Sequence, residues 1–525
     1  MKTEVRKGSL VLTGTNRKGR YDLSYSTALF FEEREWPVPP EVHELIERKT
    51  RPVPVSIDGY PFKTASWRHQ KRGSELCLTF KRFSLFHEMG AGKSKTALDA
   101  IGWLFWKGLA RRALIVCPLS VYTEWPRQVD LHAAFGRLVI LRDVKKAKKF
   151  LTEEMPLITE PLIVLVNYEK VRSLQRELIG QFDIVVCDES TKVKNHRAIR
   201  TKALAEVAKE AAYVFLMTGT PVSKNLVDVF GEFSVMDPFW FGKNFWFFRQ
   251  RYCVMGGWMQ HQIVGYQRES ELRKIIDTAS DRVLKKDVLP DLPPKVYAER
   301  SVVMDPAQKR LYEETRKKFW IELQQGTLDI KNAASRIVKL QEIADGFVIT
   351  SEDEIHHVSD TKIDGLMEAI EEVEEMQRVV VWCRFRHDIE SIKKRLEEDH
   401  PDRDIFILHG DTKDRKKVIE DFRNRAGSVF HVQIQTGGMG IDLTCSHTVF
   451  FFSNVFEYAL REQAEDLFHR PAQTNAVTYV DIVTEDTVDR KIQRVLLSKK
   501  SLSEWVMENR GKLADFFEPR NVFRN

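Results

Sequence analysis

Ten consecutive residues, His87-Glu88-Met89-Gly90-Ala91-Gly92-Lys93-Ser94-Lys95-Thr96, have the types and spacing that phosphate chemistry needs. The apolar run 83–86 precedes them and a helical pattern follows, so the segment reads as strand, loop and helix. Glycines let backbone N–H groups turn toward an anion, and a helix N-terminus adds partial positive charge. Gly90, Ala91, Gly92, Lys93, Ser94 and Lys95 then form a nucleotide cradle. Lys93 reaches the β- and γ-phosphates, and the Ser94 hydroxyl holds Mg²⁺. The strict pattern has glycine at position 87, where this chain has histidine, so the match is to the shorter Gly-x-Gly-Lys-Ser form. Alone, the segment also fits a glycine turn followed by an ordinary helix. Asp188-Glu189-Ser190 tips that balance. The pair of acids ends the apolar run 184–187, and burying two acids there is costly without a purpose. Asp188 suits a Mg²⁺ ion, usually held through water, and Glu189 suits polarising an attacking water. Together the two segments specify ATP or GTP with magnesium.

The elements that must position these residues come in two series. Strands are expected at 83–86, 113–117, 138–141, 162–166, 184–187 and 213–217, then at 379–382, 405–408, 429–434, 449–452 and 478–482. Their Val/Ile/Leu runs are continuous rather than alternating, which suits strands buried on both faces of a parallel sheet. Strands alternating with helices imply right-handed βαβ units, hence an α/β class with two parallel-sheet domains in tandem. Residues 61–235 and 361–485 are read as those domains. Residues 236–360 are read as helical protrusions and a linker, 486–525 as a C-terminal helical brace, and 1–60 as an N-terminal extension. Prolines at 37, 39, 40, 52 and 54 suggest that this extension has little regular structure. The aromatic run 239–248 reads as the core of a helical protrusion rather than a base-stacking platform. Lys145-Lys146-Ala147-Lys148-Lys149 reads as a solvated helix face.

Composition bounds the rest. The chain has 525 residues, 43% hydrophobic and 30% charged, which suits globular domains and argues against wholesale disorder. No apolar run approaches the roughly 18 residues of a membrane span, and no apolar core follows the basic N-terminal residues as a secretory signal requires. The six cysteines stand singly, without a CxxC pair, so zinc clusters and disulfide scaffolds are poor readings and a reduced, cytoplasmic setting is the default. A net charge of +6 permits a polyanionic partner without demanding one.

The order of further motifs resembles that of the superfamily-two helicase-type ATPases, and among them the Swi/Snf-type DNA translocases. The resemblance runs from about residue 62 to residue 509. Trp67-Arg68-His69-Gln70 is similar to the adenine-recognising segment, and Glu88 to Ser94 to motif I. Ile115-Val116-Cys117-Pro118-Leu119-Ser120 with Glu124-Trp125 resembles motif Ia, and Asn167-Tyr168-Glu169 stands where motif Ib would be. Asp188-Glu189-Ser190 with Lys194-Asn195 resembles motif II, and Leu216 to Pro221 motif III. Val380-Val381-Trp382-Cys383 resembles motif IV. Leu408-His409-Gly410-Asp411 with Arg415 and Phe422-Arg423 resembles the segment after it. Gln435 to Leu443 is similar to motif V, and Gln463-Ala464-Glu465-Asp466 with His469-Arg470 and Gln473 to motif VI. Leu284 to Leu289 followed by Leu292-Pro293-Pro294-Lys295 resembles a linker of the Swi/Snf branch. That linker and the Cys117–Trp125 segment favour this branch over DEAD-box RNA helicases. Two positions depart from the pattern: His87 replaces an acid, with an effect expected on local polarity only, and Leu467 replaces the first arginine of motif VI.

The resemblance implies two RecA-like domains that hydrolyse ATP with Mg²⁺ and translocate on double-stranded DNA. Lys93, Glu189, Gln463 and Arg470 would be catalytic. Gln70, the loop 90–95, Gly440, Asp442 and Arg470 would hold nucleotide, and Ser94 and Asp188 the metal. Ser120, Asn167, Lys194, Thr218, His409 and Thr436 would contact nucleic-acid phosphates, without sequence preference. For each of these six, a capping or turn role is an equal alternative. A minimal form of this kind suggests a monomeric motor of a bacterium or an infecting phage. A strand-separating helicase on DNA or RNA is a second reading. A nucleotide-dependent binding module with weak hydrolysis, suggested by Leu467, is a third.

Overall fold

The computed structural model describes residues 2–6, 9–13, 18–122, 124–219, 226–256, 262–325, 330–350, 352–437, 441–498 and 517. The chain divides into two compact units, Met1–Pro290 and Asp291–Asn525. Each is built on a parallel sheet, as the continuous apolar runs require.

The first unit has a seven-stranded sheet. Its order is Ser280–Val283, Arg82–His87, Tyr213–Met217, Ile184–Asp188, Arg112–Cys117, Leu162–Asn167, Arg137–Ile140. Every neighbouring pair is parallel, so all strand C-termini meet at one edge. The register sets Met217 opposite both Leu85 and Asp188. The strand that leads into Thr218 therefore lies between the strand that feeds the phosphate loop and the strand that ends in the acids. In open α/β sheets such an edge is where ligands bind.

The N-terminal residues differ from expectation. They form a three-stranded antiparallel sheet, Lys2–Arg6, Ser9–Thr13 and Lys18–Asp22, followed by helices Tyr25–Glu33 and Pro40–Thr50. The prolines do not forbid this. Pro40 is the first helical residue, where its missing N–H is harmless and its fixed φ is helical. Leu10, Ala28, Phe31 and Val42 make a small core there. Backbone bonds from Tyr25 to Phe239 (2.7 Å) and from Ser26 to Trp240 (3.1 Å) fasten it to the aromatic run.

Residues 236–360 divide between the units. Phe239, Trp240, Phe241 and Phe248 are buried in the core of the first unit. Ser280–Val283 adds an edge strand to its sheet. Lys295–Val302 pairs in parallel with Val477–Thr484 at the edge of the second sheet. Neither edge strand carries a continuous apolar run: one reads Ser-Asp-Arg-Val and the other is mostly exposed, so hydrophobic patterning passes over both. The six-stranded second sheet runs Lys295–Val302, Val477–Thr484, Thr448–Phe451, Val379–Cys383, Val429–Gln433, Ile405–Leu408. Helices Pro306–Gln324, Ile330–Asp345 and Val488–Leu497 share an apolar core through Tyr312, Ile337, Leu340, Val488 and Ile492.

Candidate active site

The loop after Arg82–His87 turns through two glycines in the left-handed region, Gly90 (φ 86°) and Gly92 (φ 85°), where a side chain would be strained. A Cβ on Gly92 would also meet Gln70 Nε2 at 2.1 Å. Gln70, buried, accepts a bond from the Trp67 backbone N–H (3.0 Å), and His69 Nε2 donates to the Ala91 carbonyl (2.8 Å). The segment matched to adenine recognition thus lies directly against the phosphate loop. Lys93 opens helix Lys93–Trp106, and its ammonium folds back over the loop to the His87 carbonyl (2.8 Å). Ser94, half-buried, stands beside it in the first turn.

The Lys95 side chain is engaged elsewhere. Its ammonium is buried against both Asp99 oxygens (2.5 Å) and the Ser66 hydroxyl (2.7 Å). The side chain braces two segments of the fold rather than the loop; only its backbone N–H remains for phosphate.

Asp188 closes its strand fully engaged. Trp125 Nε1 donates to Oδ2 (2.8 Å), the Glu189 N–H donates to Oδ1 (3.1 Å), and the Tyr168 hydroxyl holds the Asp188 carbonyl (2.7 Å). Burial raises the Asp188 carboxyl, while the Trp125 bond and the Lys93 charge oppose the rise. Glu189 adopts φ 52°, ψ 58°, an uncommon conformation for a residue with a side chain. Burial, then the Asp188 charge, lift its pKa to about 7 against the pull of Lys93. Gly219 lies across this centre: a Cβ there would meet Met89 Cγ at 2.8 Å and Lys93 Nζ at 3.4 Å. The loop, the acids and the segment after Met217 therefore converge on one ammonium.

For Mg²⁺, the residues fit. The Ser94 hydroxyl and Asp188 carboxylate are hard oxygens, and a carboxylate accepting two bonds keeps further lone pairs. Among the described residues no group of three His, Cys, Asp or Glu side chains forms a metal cluster of its own, so nucleotide oxygens and water would complete the shell.

Two features escaped sequence reasoning. His87 is wholly buried and bonds through Nε2 to Asp281 Oδ2 (3.0 Å), whose other oxygen meets Arg72 (3.0 Å). It fastens the edge strand to the phosphate strand, a structural task beyond local polarity. Glu88 extends the tie by accepting the Lys285 N–H (2.7 Å). Glu232, also buried, accepts the Ser190 hydroxyl (2.6 Å) directly behind the acid pair. Burial lifts its carboxyl to about 7, with the Ser190 bond opposing and Asp228 adding. Ser-Thr-Lys-Val after Glu189 gave no sign of that partner.

The nucleic-acid candidates fare unevenly. Thr218 is wholly buried, with its N–H on the Leu85 carbonyl (3.2 Å), so its side chain faces the interior rather than a strand of DNA. Asn167 caps helix Tyr168–Ser173 by accepting the Lys170 N–H (3.1 Å), and His409 Nδ1 accepts the Asp411 N–H (3.2 Å) inside its own turn. Both play the capping or turn roles. Lys194 is half exposed and meets Asp228 (3.4 Å). The side chains of Ser120 and Thr436, and all of Gly440 and Thr220, lie outside the described residues. Lys145 to Lys149 forms the solvated face expected, with Ala147 alone turned inward.

In the second unit, Asp442 accepts the Thr444 N–H (3.1 Å) and hydroxyl (2.8 Å). Its carboxyl is lowered although burial opposes this, through the Thr444 bonds and then the charges of Arg470 and Arg423. Arg470 Nε donates to the Asp466 carbonyl (3.0 Å). The Glu465 carboxylate is held by Lys295 (3.0 Å) and Arg461 (2.9 Å) and by Tyr297 (2.8 Å), and Asp466 meets Lys295 (3.1 Å). Gln463 Oε1 is buried without a hydrogen-bond partner among the described residues. Leu467 is wholly buried, so the residue that departs from the motif is part of the domain core.

Among the described residues no helix is long and apolar enough to cross a membrane. Relatives share about a quarter of the sequence. An uncharacterized ATP-dependent helicase of Mycoplasma genitalium is 24% identical over 431 residues, 80% of this chain and 39% of that protein. ATP-dependent helicase fft1 of Schizosaccharomyces pombe is 24% identical over 521 residues, 87% and 54%. The Zorya protein ZorD of Escherichia coli is 24% identical over 463 residues, 78% and 41%. The chain thus spans between 39% and 54% of the length of these relatives. A solved Sulfolobus solfataricus SWI2/SNF2 ATPase core in complex with dsDNA is 21% identical, covers 88% of this chain and 99% of its own, and superposes with a TM-score of 0.41. The helicase conserved C-terminal domain matches residues 361–472. With the SNF2-related domain matched over residues 69–346, more than half its length, the chain belongs to the SNF2-related family of helicase-type ATPases.

Proposed function

We propose that the protein is an ATP-hydrolysing motor that translocates on double-stranded DNA and remodels DNA or protein–DNA complexes. The observation that carries this reading is the convergence of Lys93, Asp188, Glu189 and Gly219 at one sheet edge in a chain of this family. Lys93 neutralises the β- and γ-phosphates and leaves the carbonyls it now holds. Ser94 and Asp188 would hold Mg²⁺, which would supply positive charge beside the phosphates. Glu189, when ionised, accepts a proton as water attacks in line with the leaving group. Gln70 meets the adenine. Arg470 would meet the γ-phosphate; an arginine in that role contributes about 10³–10⁵ in rate. The hydrolysis cycle would drive movement along a duplex. The third reading, a weakly hydrolysing module, rests on Leu467, which is buried in the domain core; the phosphate-release assay below decides it.

The test is phosphate release with duplex DNA, single-stranded DNA and RNA side by side. Duplex DNA should stimulate turnover most, Lys93→Ala should abolish it with the fold retained, and Glu189→Gln should bind ATP yet hydrolyse poorly. Equal stimulation by RNA, or release of a displaced strand from a fork, would favour a strand-separating helicase.

A further inference from the structure

The aromatic run 239–248 is not all core. Trp246 is 55% exposed, and with Phe245 it lines a concavity of about 590 Å³ on the first unit. The remaining walls come from His196 and Arg197, just after the acid pair, from Lys243 and Arg249, and from Asp22 and Asn244. That volume lies within the roughly 300–1,000 Å³ of ligand clefts.

The walls carry an excess of positive charge. Among the described residues no carboxylate pairs with Arg197, Lys243 or Arg249, and Arg249 Nε is buried without a partner. The one acid in the wall, Asp22, already accepts the Lys243 and Asn244 backbone N–H groups through Oδ2 (2.8 Å each). The Arg249 guanidinium carbon lies over the Trp246 ring, 4.0 Å from its centroid, and His196 stacks on Phe245 at 3.9 Å. Burial, then the charges of Arg197 and Lys202, hold the His196 ring below its usual pKa, so it is neutral. Three cations against one occupied acid leave a net charge of about two positive units facing the cavity. Stacked rings beside unpaired cations are what a sugar–phosphate unit requires: cations for the phosphate, rings for the apolar faces of the sugar or base.

We propose that this pocket binds a sugar–phosphate unit of the nucleic-acid backbone and is a contact additional to the motif loops; the inference rests on the DNA-motor reading. An acidic peptide would match the charge but leave the two ring stacks without a complement, so the nucleic acid is favoured.

The experiment measures binding of a short DNA duplex across a salt series to the wild-type chain, to Lys243→Glu, to the triple variant Arg197→Ala/Lys243→Ala/Arg249→Ala, and to Trp246→Phe. Each phosphate contact contributes about 0.9 to the slope of log affinity against log salt, so the triple variant, which removes one such contact, should lose about one from that slope and at least tenfold in affinity at low salt. Lys243→Glu, at an exposed position, should show a smaller loss in the same direction. Duplex should quench tryptophan fluorescence in the wild type but less in Trp246→Phe, and ATP turnover without DNA should be unchanged in every variant. Unchanged slope and affinity in the variants while the wild type binds duplex would overturn this inference alone. Failure of the wild type to bind or respond to duplex would overturn both it and the motor reading. An equal quench by inorganic phosphate, or a quench by polyglutamate but not by duplex, would make the pocket a general anion or acidic-peptide site and reject the proposal.

Discussion

Glu189 holds its proton to about pH 7 because it is buried beside the Asp188 charge. A base acts only when ionised, and kcat/KM reports groups of the free enzyme, so DNA-stimulated kcat/KM should rise through neutrality and level off above it. A profile already flat from pH 5.5 upward would reject the base assignment. Glu232 titrates near the same pH, against 4.5 when solvated. Between those values the unfolded chain has released a proton that the folded chain retains, so its contribution to stability falls as pH rises from about 4.5 to 7. Glu232→Gln keeps the Ser190 bond and removes that penalty. The variant should match the wild type near pH 4.5 and exceed it at pH 8 by up to about 3 kcal/mol, read from urea unfolding midpoints. The reverse pH trend would show that Glu232 is ionised in the folded protein. For Arg470, a finger on the γ-phosphate needs a planar fork, so Arg470→Lys should lose turnover nearly as fully as Arg470→Ala while both retain ATP affinity. High activity in the lysine variant would return Arg470 to a purely structural role.

At the level of elements, the acid pair depends on what lies behind it. Helix Asp228–Met236 presses on the turn Ser190–Val193 so closely that a Cβ on Gly231 would meet the Lys194 carbonyl oxygen at 2.0 Å. That atom is backbone and cannot swing aside. Gly231→Ala should therefore push the helix away, at a cost of about 1–3 kcal/mol, and disturb the Ser190–Glu232 bond and with it Glu189. Reduced stability together with reduced turnover in this variant is the expected outcome; a wild-type melting curve would show that the turn yields freely. The edge strand Ser280–Val283 is a second such support. Through His87–Asp281, and through Glu88–Lys285 just beyond it, this segment is tied to the point where the phosphate strand passes into its loop.

For the molecule as a whole, the N-terminal residues belong to the first unit's packing. Ser26 bonds the Tyr252 hydroxyl (2.9 Å), Arg251 joins Glu33 (3.2 Å) to Glu271 (2.7 Å), and Tyr25 sits edge-on to Trp240 at 5.9 Å. Deleting residues 2–50 would uncover Phe239, Trp240 and Tyr252 and leave Arg251 without one carboxylate. The truncated chain should melt several degrees lower and bind an apolar-surface dye, while the phosphate-loop and acid-pair segments stay intact in sequence. An unchanged melting temperature would make these residues a passive extension.

The sequence by itself determined the parallel sheets and the residues of the proposed nucleotide site. Strands buried on both faces must be apolar throughout, and phosphate binding admits few residues at Gly90, Gly92, Lys93, Asp188 and Glu189, so both leave local signatures. Tertiary structure decided what has no local signature. Lys95 looked like part of the cradle because of its position, but its side chain follows a buried Asp99 that lies one helical turn on. The edge strands Ser280–Val283 and Lys295–Val302 are held by backbone bonds to a neighbour, which demand no apolar run. Glu232, His87 and the cations around Trp246 acquire their roles from partners distant in sequence, and side-chain chemistry set by distant neighbours exists only once the chain has folded.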